Sequence, residues 1–147
     1  RLTTDAVAFD ATLVLPTLEQ LPVLVIDDNA DTLQLLQRYA SGSRYRLITT
    51  QEATQIQDLV VKFSPQIIVL DVMMPQTDGW EVLGNLRHHP LTSQIPIIVC
   101  TIMSQEDFAR LLGASDFIQK PVTRQAFLET LDRQMASLET LPEKESC

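Results

Sequence analysis

The chain has 147 residues, a length that suits one domain built around one core. Its hydrophobic share of 45% is that of a folded protein, and its net charge of −8 argues against a nucleic-acid surface. No apolar run approaches the ~20 residues of a membrane span, and the first residues lack the basic-then-apolar order of a secretory signal.

Residues 1–22 stand apart as an extension or linker, a possible tail of a preceding domain. Within it Ala11-Thr12-Leu13-Val14-Leu15-Pro16 reads as one extra strand, and Thr17 to Pro22 as the linker proper. The start at Arg1 rather than Met is read as a sign of a piece cut from a longer protein. From Val23 onward strand and helix signals alternate, which implies βα units and a parallel sheet, here over residues 23–138 with a tail at 139–147. Val23 to Ile26 is a short apolar run of the buried-strand kind. Asn29 is a good helix cap, followed by Leu33, Leu36 and Ala40 on one face, and Gly42 is the expected stop. A second strand is expected around Tyr45–Thr49. Thr49 and Glu52 have capping-box spacing before Ala53, Ile56, Leu59, Val60 and Phe63, which recur with helical period. Pro65 ends that helix, and Ile67 to Leu70 forms strand three. Asp78 and Glu81 repeat the box spacing ahead of Trp80, Val82, Leu83 and Leu86. Ile97 to Cys100 is strand four, Gln105 to Leu112 a short helix closed by Gly113, and Phe117 to Gln119 strand five. The last helix starts near Thr123 and carries Phe127, Leu128, Leu131, Met135 and Leu138. The expected fold class is α/β, a doubly wound five-stranded parallel sheet with helices on both faces.

Four of these apolar runs end in a group suited to phosphate chemistry: Asp27-Asp28, Asp71, Thr101 and Lys120. Parallel strands place all four tips on one sheet edge, where open α/β sheets bind ligands. Two carboxylates beside each other at a strand's end can both face a cation from the loop, and Mg²⁺ favours one or two carboxylates, several waters and a phosphate oxygen. Taken alone, Asp-Asp-Asn is a turn and cap, Thr101 a strand-end hydroxyl and Lys120 a surface lysine. Asp71 is harder to dismiss, because a carboxylate after four large apolar residues costs free energy unless solvated or paired. Lys120-Pro121 is a candidate cis peptide. Cys100 sits in an apolar run as a small hydrophobe and Cys147 is the last residue, so a reduced, cytoplasmic setting is expected.

Four segments make the chain resemble the bacterial response-regulator receiver domain from about Leu21 to Gln134. They are Val-Leu-Val-Ile-Asp-Asp-Asn (23–29), Ile-Ile-Val-Leu-Asp-Val-Met-Met-Pro-Gln-Thr-Asp-Gly (67–79), Pro-Ile-Ile-Val-Cys-Thr (96–101) and Gly-Ala-Ser-Asp-Phe-Ile-Gln-Lys-Pro (113–121). The resemblance implies a flavodoxin-like sheet with strand order 2-1-3-4-5. It implies Asp71 as phosphoacceptor, and Mg²⁺ held by Asp28, Asp71 and the Met73 backbone carbonyl, with Asp27 acting through a metal-bound water. It further implies that Thr101 and Lys120 hold phosphoryl oxygens, and that Thr101 and Phe117 form the switch pair. No other cofactor is implied. The phosphoryl donor would be a phosphohistidine on a sensor histidine kinase or phosphotransfer protein, with no nucleic acid or membrane contacted by this chain and an output domain or protein left open.

Three departures accompany the match. Ile102 follows Thr101 where the family usually has a small residue, and Met73 and Met103 occupy positions that in the family influence dephosphorylation. These apolar groups are expected to hinder the attacking water and lengthen the phosphorylated lifetime. The segment from Thr101 to Gly113 is about one helical turn shorter than in typical members, a deficit that falls on the fourth helix and puts standard dimerisation in doubt. Ile102 favours a second reading, a pseudo-receiver scaffold that works without phosphorylation. A distant third is a haloacid-dehalogenase-type phosphatase, an Mg²⁺ enzyme whose second Asp is replaced here by Met73; otherwise the chain is no enzyme beyond its own phosphorylation and dephosphorylation. Phe9 to Pro16 weakly resembles the closing strand of a histidine-kinase ATP-binding domain, which would make this the C-terminal receiver of a hybrid kinase. His88 and His89 read as incidental loop histidines, and Trp80 as packing.

Overall fold

The computed structural model describes residues 20–139. The expected strand at Ala11–Pro16 and residues 140–147 of the tail lie outside the described residues, while Glu139, expected to open the tail, ends the last helix. Chain order is β1 (Leu21–Ile26), α1 (Ala30–Ala40), β2 (Tyr45–Thr50), a 3₁₀ turn (Ala53–Gln55), α2 (Ile56–Phe63), β3 (Ile67–Leu70), β4 (Met73–Met74), β5 (Thr77–Asp78), α3 (Gly79–His88), β6 (Ile97–Thr101), α4 (Glu106–Leu111), β7 (Asp116–Gln119) and α5 (Arg124–Glu139). The main sheet has the order β2-β1-β3-β6-β7 with every pairing parallel, which is the expected 2-1-3-4-5 counted over its own strands.

Two apolar layers hold this sheet, and the strand period of two assigns residues to each. Val23, Val25, Ile67, Val69, Ile98 and Cys100 point to the layer completed by α1 and α5, which contribute Leu33, Leu36, Phe127, Leu131 and Met135. Leu24, Ile26, Ile68, Leu70, Ile97 and Val99 point the other way, to Ile56 and Val60 of α2, Leu83 and Leu86 of α3, and Ala109 of α4. The central strands are therefore buried on both faces, which is why they read as continuous apolar runs.

Helix boundaries follow local chemistry. The Asn29 side chain accepts from the Asp31 and Thr32 amides, capping α1 as expected, and the chain leaves through Ser41 and Gly42, whose φ is +81°. Asp78 caps α3 in the same way through the amides of Trp80 and Glu81. The Thr49–Glu52 box does not form. Thr49 is inside β2, paired with Val25, and it is the Thr50 hydroxyl that accepts from the Glu52 amide, starting a 3₁₀ turn before α2. β1 begins at Leu21, two residues before the expected Val23. Pro22 is tolerated there because pairing to β3 starts only at Val23, so no ladder bond needs its missing N–H.

Arg87, at the end of α3, ties the lower edge together. Its guanidinium donates to the carbonyls of Gly113, Ser93 and Ile95 and to the Ser115 hydroxyl, at 2.6–3.1 Å. Gly113, with φ +112°, is required here, since a Cβ would lie 2.5 Å from Arg87 Cγ. α4 spans only Glu106–Leu111, and its Phe108 ring meets Trp80 edge-on at 4.8 Å, a packing role for that tryptophan.

Candidate metal and phosphoryl site

The tips of β1, β3, β6 and β7 bring the expected residues to one sheet edge. β1 delivers Asp27 and Asp28, whose turn is fixed when the Asp27 amide donates to the Thr50 carbonyl (3.2 Å) and the Asn29 amide to Asp27 Oδ1 (2.9 Å). β3 delivers Asp71, whose amide donates to the Ile26 carbonyl (3.0 Å) and whose Oδ1 accepts from the Met73 amide (2.9 Å). Asp27 and Asp71 are buried, Asp28 is half-buried, and ligand oxygens of all three lie within 4.8 Å of one another.

Beyond Met73 the chain forms the small hairpin β4–β5, in which Met73 pairs with Asp78 and Met74 with Thr77. Gly79 then lets α3 start against the same loop, for a Cβ there would lie 2.2 Å from Val72 Cα. The Asp-Gly at 78–79 thus serves as cap and as close contact, keeping the segment after Asp71 in place.

Lys120 closes the site from β7. Its Nζ donates to Asp27 Oδ2 at 2.7 Å and to Asp71 Oδ2 at 3.0 Å. The Lys120–Pro121 peptide is cis, and the Lys120 amide donates to the Thr101 carbonyl at 2.8 Å. Burial works against the Lys120 ammonium, but its bonds and charge attraction to Asp27 and then Asp71 outweigh it and hold its pKa above the ordinary value. Burial likewise pushes the Asp27 carboxyl up, against the hydrogen bonds from Lys120 and Asn29.

Thr101 ends β6 fully buried, and its Oγ1 has no hydrogen-bond partner. A buried hydroxyl without a partner costs about 1–3 kcal/mol, so this position favours a ligand that accepts from it. Three carboxyl groups share one ammonium, and the donors they offer are all hard oxygens. That set fits Mg²⁺ or a similar hard divalent cation. Phe117 is half-buried on β7, packed against the layer that contains Val99 and Ala109. Ile102 extends outward, 62% exposed, and its carbonyl accepts from the Gln119 side chain at 3.3 Å; Met73 is 46% exposed beside Asp71. Cys100, one residue before Thr101, is a free buried thiol pushed up to about 12 by burial.

Two polar features had no signal in the sequence. The Gln51 side chain donates to the Asp28 carbonyl at 2.8 Å, across 23 positions of chain. Asp116 is buried under bonds from Arg133 (2.9 Å) and Gln134 (3.1 Å). Neither contact lies within the span of one element, where periodicity operates.

The chain matches the family model of the response regulator receiver domain over residues 23–132. It is 34% identical over 103 residues to the response regulator PleD of Caulobacter vibrioides, covering 68% of this chain but 23% of PleD. Among solved structures, the chemotaxis response regulator CheY4 of Vibrio cholerae superposes with a TM-score of 0.71 at 23% identity, covering 78% of this chain and 98% of that one. The receiver domain of a signal transduction histidine kinase from Syntrophus aciditrophicus superposes with the same TM-score of 0.71 at 23% identity, covering 82% and 94%. At these identities the two superpositions speak for the fold.

Proposed function

The chain belongs to the response regulator receiver domain family of two-component systems, and on that premise we propose that Asp71 accepts a phosphoryl group from a phosphohistidine. The observation that carries this is the Thr101 hydroxyl, buried and unpartnered one strand away from Asp71.

In the transfer, an Asp71 carboxylate oxygen attacks phosphorus, the phosphorus–nitrogen bond of the donor breaks, and the imidazole leaves and is reprotonated. Phosphoryl transfer needs mainly positioning and charge neutralisation. Asp71 Oδ1 accepts from the Met73 amide and Oδ2 from Lys120, so in this reading Oδ2 reacts as Lys120 is drawn to the incoming phosphoryl group. Lys120 then exchanges its bond to Asp71 for one to a phosphoryl oxygen, and Thr101 donates to another. Asp27, Asp28, Asp71 and the Met73 carbonyl would hold Mg²⁺, which when bound neutralises charge on the phosphoryl oxygens. The inward pull on Thr101 would shift the packing of Phe117 on the neighbouring strand, a change of population between two arrangements.

The donor in this reading is a sensor histidine kinase or phosphotransfer protein in the cytoplasm, and the chain catalyses only its own phosphorylation and dephosphorylation. Residues 9–16 support a place downstream of a kinase ATP-binding domain in a hybrid kinase. The test of the site is titration with Mg²⁺ and beryllofluoride, a non-covalent phosphoryl mimic, followed by amide NMR. Saturable shifts at Thr101, Phe117 and Lys120 that weaken in Thr101→Ala support it; unshifted spectra at saturating ligand overturn it.

A further inference from the structure

We infer that Gln51 is a positioning residue for the divalent cation, holding the Asp27–Asp28 turn so that the Asp28 carboxylate meets Mg²⁺; this rests on the Mg²⁺ role proposed for the carboxylate cluster. The end of β2 grips the turn twice. The Thr50 carbonyl accepts from the Asp27 amide at 3.2 Å, and the Gln51 Nε2 donates to the Asp28 carbonyl at 2.8 Å. The other carboxylates have fixed orientations of their own: Asp27 between the Asn29 amide and Lys120, Asp71 between the Met73 amide and Lys120. None of those bonds reaches the Asp28 carboxylate, which is half-buried. Its direction therefore depends on its main chain, and the Asp28 carbonyl is the group Gln51 holds.

Gln51 is well placed for that one task. It is exposed, and with Asp28 it lines a cleft of about 400 Å³ between residues 51–54 and the Met74–Thr77 hairpin. Its carboxamide is neutral, so the contact supplies direction without adding charge to the cluster. Partners that orient metal ligands from behind commonly govern affinity as strongly as some ligands do. Direction matters most for Mg²⁺, which demands near-octahedral geometry, and least for Ca²⁺, which accepts 6–8 oxygens in flexible arrangements.

The experiment is calorimetric titration of Mg²⁺ and of Ca²⁺ into the unmodified chain, Gln51→Ala, Gln51→Asn and a control, Gln125→Ala on the exposed face of α5. In both Gln51 variants Mg²⁺ affinity should fall about tenfold, the low end for such partners, while Ca²⁺ affinity stays within about twofold and melting temperature is unchanged. The control should match the unmodified chain. Unchanged Mg²⁺ affinity in Gln51→Ala overturns the inference, and so does an equal loss for both ions, which would signal general loosening of the loop. If the unmodified chain itself binds no Mg²⁺, the proposed function fails and this inference with it, an outcome separate from the first two.

Discussion

The Lys120 ammonium stands between the carboxylates of Asp27 and Asp71, 2.7 Å from one and 3.0 Å from the other, and its side chain is only 16% exposed. Replacing it leaves two buried carboxylates facing each other. Lys120→Met should therefore lower stability without Mg²⁺ by about 3 kcal/mol, the low end for breaking a buried pair. Mg²⁺ should restore more stability to the variant than to the unmodified chain. Urea unfolding with and without Mg²⁺ checks both, and an equal Mg²⁺ response in the two proteins would contradict this view of the site.

Two glycines of α3 should respond oppositely to alanine. A Cβ at Gly79 would meet Val72 Cα at 2.2 Å and the Val72 carbonyl oxygen at 2.6 Å, contacts that only backbone movement relieves. Gly79→Ala should cost about 2 kcal/mol or more. Gly84 has open space around its Cβ position inside the helix, so Gly84→Ala should gain about 0.5–1 kcal/mol. Denaturation midpoints give both signs directly.

Acid sensitivity should trace in part to Asp116. Burial pushes its carboxyl up, but the Arg133 bond, the Phe117 amide, Gln134 and the Arg133 charge outweigh burial and hold it below the ordinary 3.8. A folded-state pKa below the unfolded one contributes stability that is present above the unfolded pKa and lost as pH falls through the folded one. Stability should therefore drop below about pH 4, and Asp116→Asn should show a shallower drop over that range. Parallel acid limbs in the two proteins would rule this contribution out.

Ile102→Ala should shorten the phosphorylated lifetime several-fold, on the expectation that a branched side chain directly after Thr101 hinders the attacking water. The residue is 62% exposed, so the substitution should change stability by less than about 0.5 kcal/mol. Decay of the phosphorylated form after donor removal measures the effect, and an unchanged rate would sink it.

The sheet and its helices were legible because strands buried on both faces leave short continuous apolar runs, whereas amphipathic helices leave a 3.6-residue period. Val23 to Ile26 and Ile67 to Leu70 are too short for helices and end at polar residues, and Asn29 and Asp78 cap as their side-chain chemistry dictates. The β4–β5 hairpin was invisible, since two-residue strands carry no period. The Thr49–Glu52 box failed because β2 runs through Thr50, and the Glu52 amide meets the Thr50 hydroxyl at the strand's end while neither the 3₁₀ turn nor α2 has a side-chain cap. At the site, Asp27, Asp28, Asp71, Thr101 and Lys120 announced themselves as polar residues ending apolar runs. Gln51 did not, because a glutamine beyond a strand is ordinary until its distant acceptor is known.

Whether Asp71 is the phosphoacceptor is decided by intact mass after incubation with acetyl phosphate and Mg²⁺. A gain of one phosphoryl group is expected, lost without Mg²⁺ and in Asp71→Asn. The same gain in Asp71→Asn, or none in the unmodified chain with either acetyl phosphate or a phosphorylated kinase as donor, would contradict it.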